Sequence, residues 1–176
     1  GERWTKRTQL LEQWALHYGG LTFFARLTPF THTGVFPEQA ALWNWARARI
    51  TSARRPINVL NLFGYTGLAA LSAAHAGASV TYVDASKWAM EWARENQAAS
   101  KLQDKPIRWL VDDALKFVKR EARRGVTYDA VVMDPPSFGR GPKGEVWKFA
   151  ESFPPLLAAC VNLLSAQPLF VMVTAY

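Results

Sequence analysis

Ile57-Asn-Val-Leu-Asn-Leu-Phe-Gly-Tyr-Thr-Gly67 is the stretch that decides the fold. Residues Ile57–Phe63 form an apolar run suited to a central parallel strand, buried on both faces. Gly64 and Gly67 follow, letting the backbone turn tightly and approach a ligand closely. The alanine-rich stretch behind them reads as a helix to His75, ended by Gly77. Downstream, strand and helix patterns alternate. Ser79–Val83 is the second strand, Ser86 to about Ser100 a helix, Ile107–Val111 the third strand and Asp112–Arg124 a helix. Tyr128–Met133 is the fourth strand, Phe153–Leu164 a helix and Leu169–Thr174 the fifth strand. Such alternation implies a parallel sheet with helices on both faces, and right-handed crossovers make it doubly wound, a Rossmann-like α/β fold. Upstream, residues 13–18 and 21–28 read as strands around Gly19-Gly20, a hairpin signal. Pro37 opens a helix to about Ser52, with Ala41, Leu42, Trp45 and Ala48 along one side. The organisation expected is a hairpin extension over residues 1–36 and an α/β domain over 37–176.

Composition narrows the function classes. A content of 49% hydrophobic and 20% charged residues is ordinary for a globular domain. No apolar run approaches the roughly 20 residues needed to span a bilayer, and no signal pattern opens the chain, so the cytoplasm is the expected compartment. A single cysteine, Cys160, excludes an intrachain disulfide framework and a cysteine-rich zinc site, and no metal is expected. Lys+Arg 21 against Asp+Glu 14 gives +7, a balance that favours polyanions. The cations come in knots at Arg3/Lys6/Arg7, Arg47/Arg49/Arg54/Arg55, Lys116/Lys119/Arg120/Arg123/Arg124 and Arg140/Lys143/Lys148. Any single knot reads more readily as a solvated helix face than as a binding site. Of the eight tryptophans, Trp43, Trp45, Trp88 and Trp92 fall at helical spacing, which points to core packing.

In doubly wound sheets, ligands bind beyond the carboxyl ends of the strands, near the point where strand order reverses. Gly64 and Gly67 follow the first strand. Asp84 follows the second, where a carboxylate can accept from both ribose hydroxyls. Asp113 follows the third, placed to meet the exocyclic amine of an adenine, and Asp134-Pro135-Pro136 follows the fourth. Each motif alone is weak. The glycine loop is not the G-x-G-x-x-G dinucleotide fingerprint, and Asp84 or Asp112 could simply cap the helix that follows. Their joint placement is specific. In Asp134-Pro-Pro-Ser-Phe138 two prolines remove donors and stiffen the backbone, fixing the Asp134 carboxylate as an acceptor for a planar base edge. Phe138 could stack on that base or plug a strand exit.

Leu60-Asn-Leu-Phe-Gly-Tyr-Thr-Gly67, Val83-Asp-Ala-Ser86, Asp112-Asp-Ala114 and Asp134-Pro-Pro-Ser-Phe138 together resemble the S-adenosylmethionine-dependent methyltransferases of large-subunit ribosomal RNA, over roughly residues 26–176. The cytosine-C5 and guanine-N7 types are the most similar. The resemblance implies a class I methyltransferase fold, S-adenosyl-L-methionine as cofactor and RNA as partner. It places Phe63, Gly64, Tyr65, Thr66 and Gly67 near the methionine part, Asp84 on the ribose and Asp113 on the adenine. The flanking Ala85, Ser86, Asp112 and Ala114, together with Asp134, complete the expected cofactor site. Thr33-Gly-Val-Phe36 resembles the segment that leads into the family's first helix, which adds Phe36 and Gln39. Asp134, Pro135 and Phe138 are the expected catalytic residues, in a direct in-line methyl transfer to a base.

Two departures stand out. The cytosine-C5 enzymes use a cysteine after the fifth strand as nucleophile, where this chain reads Val173-Thr-Ala-Tyr176. Cys160 lies in the preceding helix and is expected in the core. The chain also stops at the fifth strand, so the C-terminal strands of the family fold are expected to be missing. The rival readings are a non-catalytic RNA-binding protein on the same fold and a nicotinamide-dependent oxidoreductase.

Overall fold

The computed structural model describes residues 4, 5, 7–29 and 32–175; Arg3 and Lys6 of the first basic knot, and Tyr176, lie outside them. Strands β1 (Trp14–Tyr18) and β2 (Leu21–Ala25) pair antiparallel about Gly19-Gly20, both at positive φ. β2 ends at Ala25, three residues short of the expected limit. Beyond it the chain folds on itself through Arg26 N–H to Thr33 O and Thr28 N–H to His32 O, each 3.0 Å. A 3₁₀ turn at Pro37–Gln39 leads into α1 (Ala40–Ser52).

The α/β alternation follows as expected: β3 (Asn58–Leu62), α2 (Leu68–His75), β4 (Ser79–Asp84), α3 (Lys87–Ala99), β5 (Ile107–Val111), α4 (Ala114–Arg123) and β6 (Ala130–Met133). Then comes an element the sequence did not announce, a two-stranded antiparallel ribbon of β7 (Phe138–Arg140) and β8 (Val146–Lys148). Helix α5 (Phe149–Val161) and strand β9 (Phe170–Val173) complete the fold. The five-stranded sheet has the order β5-β4-β3-β6-β9, all parallel. Strand order reverses between β3 and β6, so a crevice opens above their carboxyl ends.

Side chains alternate across β3 and divide the core between the two faces of the sheet. Val59 joins Ala46 and Ile50 of α1, Ala70, Ala73 and Ala74 of α2 and Ala93 of α3 on one face. Leu60 and Leu62 join Phe117 and Val118 of α4 and Leu156 and Cys160 of α5 on the other. Cys160 is therefore core, as expected, and burial pushes its thiol up to about 12. The hairpin adds Leu21 and Phe23 to a third cluster with Trp43, Leu68 and Leu71. Its open edge is satisfied by α3 side chains: Asn96 Oδ1 accepts from Phe24 N at 2.9 Å, and Trp92 Nε1 donates to Phe24 O at 3.2 Å.

Three expectations are corrected. The buried stripe of α1 is Trp43, Ala46 and Ile50, not Ala41, Leu42, Trp45 and Ala48. Trp45 is 43% exposed, edge-on to Phe170 beneath the Arg49 guanidinium, and Trp88 is 45% exposed. Of the four tryptophans assigned to packing, Trp43 and Trp92 are core. Lastly, α5 starts at Phe149, with Pro154 and Pro155 inside it, not at Phe153.

At the amino ends of the strands a carboxylate acts as a bolt. Asp129 Oδ1 accepts from Arg55 and from the Ser165 hydroxyl, and Oδ2 from Asn58 N, each at 2.8 Å. Arg55 also donates to Gln167 O at 2.5 Å. The segment before β3, the start of β6 and the α5–β9 connection thus meet at one side chain. Burial alone would raise this carboxyl, but the Asn58 N–H, the Arg55 guanidinium and the Ser165 hydroxyl hold it below its ordinary value of 3.8. A depressed folded-state value contributes stability above the unfolded value, and that contribution fades as pH falls through the folded one. Asp129→Ala should therefore cost about 2–3 kcal/mol near neutrality, the scale of charge-assisted hydrogen bonds. Urea denaturation should show the gap from the parent narrowing below about pH 4. A gap independent of pH would show that the ionised bolt contributes little.

Candidate functional site

The turn after β3 is the centre of the site. Phe63 (φ 54°) and Tyr65 (φ 45°) hold the left-handed conformation that side chains disfavour, and Gly67 (φ 83°) shares it. Hydrogen bonds pin the turn from every side. Gly64 N donates to Val83 O at 3.3 Å and Gly67 N to Gly64 O at 2.8 Å. Tyr65 N donates to Asp84 Oδ2 at 2.9 Å, and the Tyr82 hydroxyl to Tyr65 O at 2.6 Å. The Thr66 hydroxyl donates to Gly34 O at 2.7 Å, and Asn96 Nδ2 to Thr66 O at 2.9 Å. A Cβ at Gly64 would overlap the Tyr82 ring, and one at Gly67 would come within 2.7 Å of Ala93 Cβ. Both glycines are required by packing as much as by the turn.

Asp84, at the end of β4, accepts from Tyr65 N and, at 2.8 Å through Oδ1, from Ser86 N. Burial raises its carboxyl above the ordinary value, against the pull of the Ser86, Tyr65 and Ala85 N–H groups. Ser86, not Asp84, caps α3, its hydroxyl accepting from Ala89 N. At the end of β5, Asp112 Oδ2 pairs with Arg120 at 2.6 Å while its Oδ1 accepts from Asp113 N. Asp113, and not Asp112, is the cap of α4, accepting from Lys116 N through Oδ1 at 2.9 Å. Ala114 is the buried first residue of that helix.

Asp134 follows β6 across the crevice, and Gln39 Nε2 donates to its Oδ2 at 2.7 Å. Burial raises the Asp134 carboxyl, the Gln39 bond pulls it down and the charge of Glu38 raises it again, with a net upward shift. Between Asp134 and the β3 turn lies a cavity of about 40 Å³, whose wall includes Phe36, Gln39, Asn61, Phe63, Tyr65 and Asp134. The Phe36 and Tyr65 rings meet at 6.0 Å. Seven expected residues therefore converge on the cavity wall with Asp134 and Gln39 among them, namely Phe36, Gln39, Phe63, Gly64, Tyr65, Thr66 and Asp134. Asp84 braces the turn through the Tyr65 N–H, and neither it nor Asp112 nor Asp113 forms part of the cavity wall. Pro135 is buried beneath the loop. Phe138 is not brought in: it sits 56% exposed on the ribbon.

Two participants escaped the sequence reading. Asn61, 3% exposed on β3, donates through Nδ2 to Val132 O, but its Oδ1, in the cavity wall, is a buried acceptor with no partner among the described residues. Such an orphan is costly unless a ligand supplies a donor. Its signal was an amide flanked by leucines at the buried, carboxyl-end half of an apolar strand. Trp147 of β8 is the other. Its ring lies 4.8 Å from that of Phe63, and its Nε1 donates to Pro136 O at 2.6 Å, tying the turn to the Asp134 loop.

Comparisons with known proteins converge on one chemistry. Residues 3–166 match the family described as S-adenosylmethionine-dependent methyltransferase. Among curated relatives, the ribosomal RNA large subunit methyltransferase K/L of Shewanella frigidimarina is 32% identical over 148 residues, covering 83% of this chain and 20% of its own length. The protein of the same name from Pseudoalteromonas atlantica is 31% identical over 165 residues, covering 93% and 22%. This chain thus spans about a fifth of the curated relatives it matches. Among solved structures, a SAM-dependent methyltransferase from Agrobacterium tumefaciens superposes with a TM-score of 0.93 at 49% identity, over 97% of this chain and 55% of that one. A methyltransferase solved in complex with S-adenosylhomocysteine follows at 0.81 and 26% identity, over 97% and 44%. By sequence match, by fold and by the pinned glycine turn opposite Asp134, the chain belongs to the S-adenosylmethionine-dependent methyltransferases.

Proposed function

We propose that this chain is a methyl-transfer module whose acceptor is a base of ribosomal RNA, with the cytoplasm as its compartment. The observation that carries the reading is the cavity that puts the β3 turn, the orphan Asn61 oxygen and the Asp134 carboxylate on one wall. The curated relatives named for ribosomal RNA, and a net charge of +7, support the choice of acceptor.

The residues present fit S-adenosylmethionine. Asn61 Oδ1 offers an acceptor to the α-ammonium of the methionine part, and it is the one buried side-chain nitrogen or oxygen that lacks a partner among the described residues. Asp84, held between two backbone N–H groups, keeps its remaining lone pairs for ribose hydroxyls. The Asp113 Oδ2, not used in capping α4, serves the adenine amine. When bound, the cofactor supplies an activated sulfonium methyl, so the protein's task is alignment rather than activation. Asp134 does the rest: fixed by Gln39 and followed by two residues without N–H donors, it orients the acceptor base and takes its proton. A raised carboxyl is the better proton acceptor near neutrality. Cys160 does not serve a covalent route, because its thiol is buried in α5 with its proton held.

Asp134→Asn keeps the shape and removes the base. Single-turnover methylation of a large-subunit ribosomal RNA fragment should fall roughly 10²–10⁴-fold, with S-adenosylhomocysteine affinity little changed. Activity in the parent requires the ionised form, so it should be lost as pH falls through a value above the ordinary 3.8. Turnover equal to the parent would make the loop structural, and a parent that methylates only protein or small molecules would remove RNA from the reading.

Asn61→Leu separates binding from folding. It removes an acceptor that is unsatisfied without ligand, so stability of the unliganded protein should change by less than about 1 kcal/mol. S-adenosylhomocysteine, which keeps the ammonium, should bind more weakly by about 1–3 kcal/mol on titration calorimetry. Unchanged affinity would take Asn61 out of the cofactor site.

A further inference from the structure

The β7–β8 ribbon is absorbed neither by the cofactor site nor by the core, and its two faces differ. The register Phe138↔Lys148, Gly139↔Trp147, Arg140↔Val146 turns Gly139 and Trp147 inward, where Trp147 packs on Phe63 and bonds Pro136 O. The other positions point outward: Phe138 is 56% exposed, Val146 52%, and Arg140 and Lys148 are exposed. The connecting turn closes through Gly141 N to Glu145 O at 2.8 Å and Gly144 N to Gly141 O at 3.0 Å, and it presents Lys143. The ribbon's one acid is turned away. Glu145 accepts from Lys143 N at 2.8 Å and pairs with Lys116 of α4, which holds its carboxyl at about 2. Lys148 pairs with Glu151 at 3.0 Å, but among the described residues no carboxylate pairs with Arg140 or Lys143. An aromatic ring flanked by cations on a braced ribbon, directly after the Asp134 loop, is therefore left facing solvent.

We infer that this outward face is the docking platform for the unpaired RNA strand that carries the target base, a conclusion that rests on the RNA reading above. A nucleotide next to the target stacks on Phe138, and its phosphates lie against Arg140 and Lys143. Phe138 serves the neighbour and not the target, because it lies outside the cavity wall whereas Asp134 forms part of it. The chemistry selects single strands: stacking needs an exposed base face, which a duplex hides. Charge complementarity comes from the unpaired cations, and rigidity from the anchors at Phe63, Pro136 and Lys116.

The test is fluorescence anisotropy with a labelled 12-nucleotide unpaired RNA and with the same sequence in a duplex, beside calorimetric titration of S-adenosylhomocysteine. Phe138→Ala should weaken the single strand roughly 5- to 150-fold, the range for losing one stacked base, and Phe138→Trp should restore it. Arg140→Glu/Lys143→Glu should lower the slope of log affinity against log salt by about 1.4, two phosphate contacts at 0.7 each. S-adenosylhomocysteine affinity should hold in all three. Single-strand affinity unchanged in the variants, with methyl transfer to RNA intact, overturns the platform and leaves the RNA reading standing. A parent that prefers the duplex also overturns it. A parent that binds S-adenosylhomocysteine but no RNA overturns both.

Discussion

The site depends on a strained turn. Phe63 and Tyr65 each carry a side chain in the left-handed region, at a cost of roughly 1–2 kcal/mol per residue. What offsets that cost is mainly the Asp84 carboxylate taking the Tyr65 N–H, backed by the Tyr82 hydroxyl on Tyr65 O and Asn96 on Thr66 O. These partners come from β4 and α3, so the turn is only as good as the packing of its neighbours. The same bonds orient what lies around it. Thr66 fastens the Gly34 segment, which delivers Phe36 and Gln39, and Gln39 in turn fixes Asp134. A chain of contacts thus runs from one strained backbone to the carboxylate on the far side of the crevice.

Carboxylates with opposite environments occupy the two ends of the sheet. Asp129, at the amino ends, is surrounded by donors and held low; Asp84 and Asp134, at the carboxyl ends, are held high by burial. The first arrangement favours the charged form and contributes to stability. The second leaves lone pairs and basicity for a ligand to use. A doubly wound sheet separates these demands by about the length of a strand.

Much of this was legible beforehand because it rests on local chemistry. The apolar runs of β3, β4 and β6 can only be buried strands, and glycine turns and carboxylates at their ends are set by the same short stretches. What was missed was decided by contacts between distant segments. In α1, apolar residues lie on several sides (Ala41, Leu42, Trp43, Trp45, Ala46, Ile50), and only the hairpin and α2 choose Trp43, Ala46 and Ile50. Phe138–Arg140 and Val146–Lys148 are too short to show alternation, and their pairing depends on Trp147 finding Phe63 and Pro136. Asn61 was hidden by the apolar residues around it, and its meaning comes from the hydrogen bond it lacks. Asp112 and Asp113 are adjacent and chemically identical, so only backbone geometry assigns the cap.

The proline pair of α5 carries a mechanical consequence. Pro154 and Pro155 have no N–H to give to Ala150 O and Glu151 O, so two successive rungs are missing between the first turn of the helix and its remainder. That first turn, with its stacked Phe149 and Phe153, is continuous with the ribbon. The ribbon and first turn are therefore held less by the helix ladder than by side chains, Trp147 on Phe63 and Pro136 O and Glu145 on Lys116. Load on the ribbon thus passes sideways, to the β3 turn and to α4, and not down the axis of α5.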